Sequence, residues 1–392
     1  MTTDTAKTFA IGSCQYPGSF FDQEYAYQAW QKLSDDSGLC KADTLLLLGD
    51  QIYVDATAGL FDESDFRKRY LYAYEALHSR INEATIPKTK YSLNDDHELN
   101  ENWEPVFSGS ADHSDNEEII EQGLSYYHKH DICKGRTTEQ AIQGLAHPVF
   151  LCNSRNNRSH RHAGNYLDAR MFNDQQEQAL TQWLLDSDPY QVKIVGSPAA
   201  LMPRLHCSAK SQIPNSKGEV PLPFNPSCLQ SDSWGGYPSS LTALLLFIAR
   251  NNIQNILFVS GDFHFSAVSK LVLTINNKTT TVHLAHCSAL YAPFPFANAN
   301  PGSYILEDEF YLPDIDLSQS RLSDTANRYF NQQSALQCRV STKVVPGGDG
   351  FCFLRQESAT SLKLEYSRPT LDSNPVYELP LMTPEPTDLI HA

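Results

Sequence analysis

Short apolar runs, rich in β-branched and aromatic residues and mostly bounded by Gly, Asn or Pro, recur along this chain. That pattern predicts strands at Thr8–Ile11, Thr44–Leu48, Pro148–Cys152, Val192–Val195, Ile256–Val259, Val268–Ile275, Thr280–Leu284, Val340–Val345, Gly350–Leu354 and Ser361–Tyr366. The early runs are continuously apolar, which suits strands covered on both faces of a sheet. Helical periodicity predicts helices over Gln23–Leu33, Asp65–Ala84, Glu117–His130, Asp174–Leu185, Ser240–Asn251 and Arg321–Gln332. The fourth starts well, because Asn173 can cap it while Gln176 sits three residues on, in a capping-box spacing. Strands and helices alternate through residue 265, and hairpin-like strands dominate after it. The expected organisation is one α/β domain over residues 1–371 whose later strands complete a second sheet. Insertions are expected near 101–116 and 201–233, with a Pro-rich tail over 372–392 that packs as a strap or frays. Loops of that length inside a domain are usually functional or mobile.

Four polar motifs sit at or near the ends of these apolar runs. Gly12-Ser13-Cys14-Gln15 follows the first run and Gly49-Asp50-Gln51-Ile52-Tyr53 the second. Asn94-Asp95-Asp96-His97-Glu98 follows Tyr91-Ser92-Leu93, and Ser260-Gly261-Asp262-Phe263-His264 follows Ile256–Val259. Open α/β sheets place their ligands outside the carboxyl ends of strands. Four such ends bearing carboxylates, a thiol and imidazoles point to a metal-dependent hydrolase.

Composition narrows the class further. The chain has 392 residues, of which 41% are apolar, enough for a sizeable core. Its net charge of −16 argues against a general nucleic-acid or membrane-surface binder, and no nucleic-acid module is evident. A small phosphate ester stays compatible, since a metal cluster reverses the local field. The nine cysteines show no CxxC or regular framework and read as reduced thiols. Met1 to Lys7 is polar, and no apolar run approaches the roughly 18–20 residues that span a bilayer, so a cytoplasmic location is expected.

Each motif admits a plain reading beside a chemical one. Asp50 after Gly49 could be a turn, or a carboxylate that bridges two ions. Asp95-Asp96-His97-Glu98 could be a solvated turn. Buried, it would need partners, with Asp96 holding a metal and His97 acting as general acid near neutral pH. Asp262 and His264 alternate about Phe263, so an extended strand would send both to one face and the phenyl ring into the core. Cys14 differs from the other cysteines by following Gly12-Ser13 at a strand end, where a thiolate would favour iron or zinc over purely hard ions. Arg155, with Arg158 as a second candidate, could pair with phosphate oxygens through its planar fork. His160-Arg161-His162 reads as a solvated basic turn that could line the substrate mouth.

Taken in order, these motifs resemble the PhoD-like alkaline phosphatase and phosphodiesterase branch of the calcineurin-type metallophosphoesterases, from about residue 8 to 300. Val195-Gly196-Ser197-Pro198 and Asp232-Ser233-Trp234-Gly235-Gly236-Tyr237-Pro238 agree with it. The resemblance implies an αββα sandwich of two mixed sheets flanked by helices. It implies two or more metal ions, iron with calcium, or zinc or manganese, on Cys14, Asp50, Asp96, Asp262 and His264. His97 would be the acid, Asp50 the bridge, and the substrate a small phosphomonoester or phosphodiester. There are departures. Asn94 precedes the Asp-Asp-His motif where the family usually has Trp or Thr. Asn153-Ser154-Arg155 stands for an Asp-Thr-Arg strand end. Asp65-Phe66-Arg67 stands for Asp-Tyr-Arg, which removes a phenol considered as an iron ligand. The alternative from another class is a non-catalytic, metal-stabilised binding protein on the same fold. Oligomeric state is not legible.

Overall fold

The computed structural model describes residues 8–17, 23–34, 42–55, 66–81, 86–105, 125, 127, 129, 141–142, 145–293, 300–325, 328–358 and 360–382. In chain order the strands begin with β1 (Thr8–Gly12), β2 (Thr44–Leu48), β3 (Thr89–Leu93), β4 (Ala141–Ile142), β5 (Val149–Leu151), β6 (Lys193–Ser197), β7 (Glu219–Val220) and β8 (Ile256–Ser260). They continue with β9 (Ala267–Ile275), β10 (Lys278–His286), β11 (Glu307–Leu312), β12 (Phe330–Asn331), β13 (Leu336–Val344), β14 (Cys352–Ser358), β15 (Ser361–Tyr366) and β16 (Val376–Pro380). The α-helices are α1 (Gln23–Ala26), α2 (Gln28–Ser34), α3 (Phe66–Arg80), α4 (Asp174–Asp186) and α5 (Pro238–Arg250).

Two mixed sheets carry the architecture. One has the order β16-β15-β14-β1-β2-β3, and the other β11-β13-β9-β10-β8-β6-β5-β4; β12 and β7 form a separate ribbon. In the first, β1, β2 and β3 are parallel neighbours, so the Cys14, Asp50 and Asp96 loops leave adjacent strands in the same direction. In the second, β5, β6, β8 and β10 are parallel, which gathers the loops after Leu151, Ser197, Ser260 and His286.

Burial follows from this layering. Phe9, Ile11, Leu46 and Leu48 of the first sheet form one core with Ile194, Leu257 and Val259 of the second. The opposite side of the first sheet, with Ala10, Leu45 and Leu47, packs on Trp30, Tyr70 and Tyr74 of α2 and α3. The opposite side of the second, with Val195 and Phe258, packs on Leu180 and Leu184 of α4 and Leu241 and Leu245 of α5. Strands β1, β2, β6 and β8 are buried at every position, as their continuous apolar runs require. At α4, Asn173 accepts from the Gln176 N–H (2.9 Å), the cap expected there.

Three expectations change. The helix over Arg321–Gln332 is replaced by a 3-10 turn at Leu322–Thr325, the short strand β12 and a second 3-10 turn at Gln332–Ser334. Asp168 accepts from Ser323 N (3.0 Å) and Phe330 pairs with Val220, which competes with helix formation. The stretch 201–233, expected as a surface insertion, places Leu222, Phe224 and Cys228 in the core of the second sheet. Arg204 ties it to β11 through Asp308 (2.9 Å). Part of the Pro-rich tail is strand β16, paired antiparallel with β15. Residues 106–116 and most of Glu117–His130 lie outside the described residues.

Candidate metal centre

The parallel strands of both sheets end at a common seam. Gly261, after β8, approaches the first sheet so closely that a Cβ there would lie 2.6 Å from Ser13 Cβ and 2.9 Å from Leu48 O. Gly49 takes a φ of +92°, and a Cβ on it would meet Asp95 Cβ at 2.4 Å. Both positions need glycine, the second for its backbone as well as its space.

Backbone conformation singles out the ligand candidates. Among the described residues nine non-glycine positions have positive φ: five are asparagines, and the other four are Cys14 (57°), Asp50 (53°), Asp262 (66°) and His264 (53°). Asn, Asp and His enter this region most readily, whereas a cysteine there is held by its surroundings, a conformation that clusters at active sites and ligand clamps. Asp262 and His264 therefore do not sit on an extended strand. Strand β8 stops at Ser260, Phe263 N–H turns back to Gly261 O (2.8 Å), and alternate left-handed residues send the two side chains into the seam.

Three sets of donor atoms each lie within 4.8 Å of one another: Cys14, Asp50 and His264; Asp50, Asp96 and His97; and Asp50, Asp95, Asp96 and Asp262. Asp50 belongs to all three. The Cys14 thiol donates to Asp50 Oδ2 (3.4 Å) and accepts from Ser288 Oγ (3.1 Å). Burial and then Asp50 raise that thiol well above its ordinary range. Burial likewise holds Asp50 and Asp262 well above the carboxylate range, and takes Asp95 up to about 6. Burial also opposes charge on Asp96, but Arg155 and His97 outweigh it and bring this carboxyl down to about 2. His264 is pushed down to about 4 by burial, with His97 adding to the effect.

This donor set fits metal ions. Asp95 Oδ2 and Asp96 Oδ1 are buried without a hydrogen-bond partner. Buried carboxylates crowded together demand a compensating cation. One set joins the Cys14 thiol and the His264 imidazole to Asp50, and the other two are carboxylates with or without His97.

Arg155 and Arg158 occupy different surroundings. Fully buried Arg155 sends Nε to Asp95, while its Nη2 lies 2.6 Å from Asp232, 3.5 Å from Asp96 and 3.7 Å from Asp262. It is a built-in cation among four carboxylates. Its Nη1 has no hydrogen-bond partner. Arg158 turns away: Nε donates to Ser154 O (2.5 Å), Nη2 to Met171 Sδ (3.6 Å), and its guanidinium lies over the Tyr237 ring. Arg161 is no solvated turn residue either. It is buried against Glu104, and its Nη1 donates to Ser231 O (2.5 Å) and Gly236 O (2.9 Å).

His97 is held at Nδ1 by Asp55 Oδ1 (2.8 Å). Its ring packs on Tyr53 with centroids 4.1 Å apart. Burial works against its charge, yet Asp50, Asp96 and Asp55 prevail and raise it to about 11. Glu98 accepts from Asp50 N (3.0 Å), Gln51 N (2.5 Å) and Asp95 N (2.8 Å), clamping the second motif to the third. Burial nevertheless takes Glu98 up to about 7.

The sequence pattern assigned no role to Tyr53, Asp55, Asp95, Glu98, Asp232 or Ser288, although Tyr53, Asp95 and Glu98 stand in its motifs. Tyr53 Oη lies 2.9 Å from His264 Nε2. A phenol thus reaches the seam from the Gly49–Tyr53 motif, whereas Asp65 and the Phe66 side chain lie outside the described residues. Asn153 closes a turn by accepting from Arg155 N (3.1 Å) and Asn156 N (3.0 Å), a task its amide oxygen performs as a carboxylate would. Asn94 pairs with Asn156 through reciprocal amide bonds.

Fold and seam together define an α/β protein with a cluster of residues that could hold metal ions at its parallel strand ends. The PhoD-like phosphatase family model matches residues 9–290, more than half of the chain, and the chain belongs to that family. A solved structure of PhoD is similar, with a TM-score of 0.55 and 16% identity, covering 95% of this chain and 68% of that one. No curated protein matches the chain. Among the described residues, no helix is long and apolar enough to cross a membrane.

Proposed function

We propose that the chain is a metal-dependent phosphoric ester hydrolase acting on small phosphomonoesters or phosphodiesters, built on a calcineurin-type αββα sandwich. The convergence of Cys14, Asp50, Asp95, Asp96, His97, Asp262 and His264 from both sheets carries this reading. Cys14, Asp50 and His264 would hold one ion, with Tyr53 beside them. Asp50, Asp96 and Asp262, with Asp95, would hold another. The thiol end suits iron or zinc, and the carboxylate end calcium or manganese. Such ions, when bound, supply Lewis acidity toward water and toward phosphoryl oxygen.

The chain's own residues do the rest. Arg155 offsets the carboxylate charge and turns its unpartnered Nη1 to a phosphoryl oxygen. Arg158 and Tyr237 brace the loop that carries it. His97, anchored at Nδ1 by Asp55, holds the proton that the leaving oxygen takes. Among the described residues seven cysteines are free thiols, which fits a reducing compartment such as the cytoplasm.

Chelation followed by metal analysis and assay on a panel of alkyl and aryl phosphomonoesters and phosphodiesters tests this reading. Activity should vanish with the metal and return when iron and calcium are restored. Full hydrolysis after verified metal removal would refute it.

A further inference from the structure

An aromatic cluster flanks the centre and has no part in holding metals. Phe263, between Asp262 and His264, is buried and stacks on His286, with centroids 5.2 Å apart. Phe265 lies next to it, 5.4 Å away at an interplanar angle of 20°. Tyr304 packs 4.6 Å from Phe263 and edge-on to Phe265 at 5.5 Å. The Tyr304 backbone is set by its N–H to Pro301 O (3.1 Å) and a bridge to Leu205. Burial, with Asp262 and Asp232 adding to it, raises its phenol.

Core packing accounts for Phe263 but not for its neighbours. Phe265 and Tyr304 are only half-buried. Single exposed apolar residues are ordinary. Two pre-set rings that pack on the residue between two candidate ligands are a different case, because they border the segment that carries those ligands. Rings recognise other rings through offset or edge-to-face contacts that aliphatic groups of equal size do not reproduce.

We propose that Phe265 and Tyr304 form the wall that receives the organic half of the substrate, and that this half carries an aromatic ring. The inference rests on the hydrolase reading and adds a substrate class to it: phosphate esters with an aryl group or nucleobase in place of short alkyl esters.

The test separates recognition from turnover by using non-hydrolysable probes on the metal-loaded protein. Calorimetric titration with phenylphosphonate and cyclohexylphosphonate should give about three- to tenfold tighter binding of the phenyl compound, the range of an aromatic pair. Tyr304→Leu and Phe265→Leu should bring that ratio toward one, while Tyr304→Phe should keep it. Circular dichroism and metal content identify any variant that fails to fold, and the wild-type ratio stands independently of the variants. Equal affinities in the wild type, binding of neither probe, or a ratio unmoved in both leucine variants would overturn the proposal. A protein that prefers phenylphosphonate but turns over no ester would refute the hydrolase reading and leave the aromatic wall standing.

Discussion

His97 is held by Asp55 at one nitrogen and by the Tyr53 ring on one face, so its remaining nitrogen has little freedom of direction. His97→Ala should lower kcat roughly 10²–10⁴-fold, the range of a general acid, with metal content kept. The deficit should shrink for nitrophenyl esters, whose leaving oxygen needs no proton. An equal deficit on good and poor leaving groups would make His97 a ligand or a strut. Cys14 invites a spectroscopic test. With iron(III) bound, thiolate-to-metal charge transfer should give a visible band that Cys14→Ser bleaches or shifts, and that variant should retain harder ions better. An unchanged band would exclude Cys14 from the centre. Cys14, Asp50, Asp96, His97, Asp262 and His264 were legible as candidates because each stands in a polar motif at a strand end. Tyr53 and Ser288 received no role, because what distinguishes them is contact across the seam with His264 and Cys14, and Asp55 and Asp232 received none because their partners His97 and Arg155 lie on other loops of the chain. Arg155 was legible as a candidate, but the four carboxylates that surround it were not.

At the level of elements, the Glu98 clamp joins the loops after β2 and β3. It satisfies three N–H groups that have turned away from the sheet. Glu98→Ala should strand these donors and cost on the order of 3 kcal/mol or more, at about 1–3 kcal/mol for each unsatisfied buried group. Denaturant unfolding of the metal-free protein should show the loss, and calorimetric titration should show weaker metal binding. A variant as stable as wild type would mean that water replaces the carboxylate. Apolar patterning located the buried strands well, because continuous runs such as Leu45–Leu48 have few other uses. It missed β11, where Glu307, Asp308 and Glu309 occupy an edge strand paired only with β13. Charged residues suit an edge that must not recruit another strand, and they conceal it from a hydrophobicity scan. The Arg321–Gln332 segment has helical periodicity, but the Asp168 contact and the β12–β7 pairing are tertiary and prevail over it.

Across the whole molecule, the buried charges couple metal, pH and stability. In the metal-free chain Asp50 and Asp262 are raised, Asp95 stands at about 6 and Glu98 at about 7, so the folded state keeps protons that the unfolded chain has released. A carboxyl raised in this way contributes stability that is present below its unfolded value and lost as pH rises through its folded value. His97, raised to about 11, acts in the same direction above its ordinary range. His264 and His286, pushed down to about 4 by burial, act the opposite way below about pH 6.5, so the chelated protein should lose melting temperature between about pH 6.5 and pH 8. Metal needs deprotonated ligands, so the increase in melting temperature on adding metal should grow over the same interval. Scanning calorimetry with and without chelator checks both slopes, and a metal-free protein that gains stability on alkalinisation across that interval would contradict them. The first sheet has a different consequence. Strand β1, which leads into Cys14, is flanked by β2 on one side and by β14 on the other, with Ile11 opposite Cys352. As the chain leaves the ribosome, β1 and β2 are made early, but the other edge of β1 must stay open until β14 emerges. Until then the nascent sheet exposes an apolar edge that can pair wrongly or recruit a neighbouring chain. The residues that assemble the centre are thus completed by a segment that contributes none of them, and synthesis order makes its arrival the committing event.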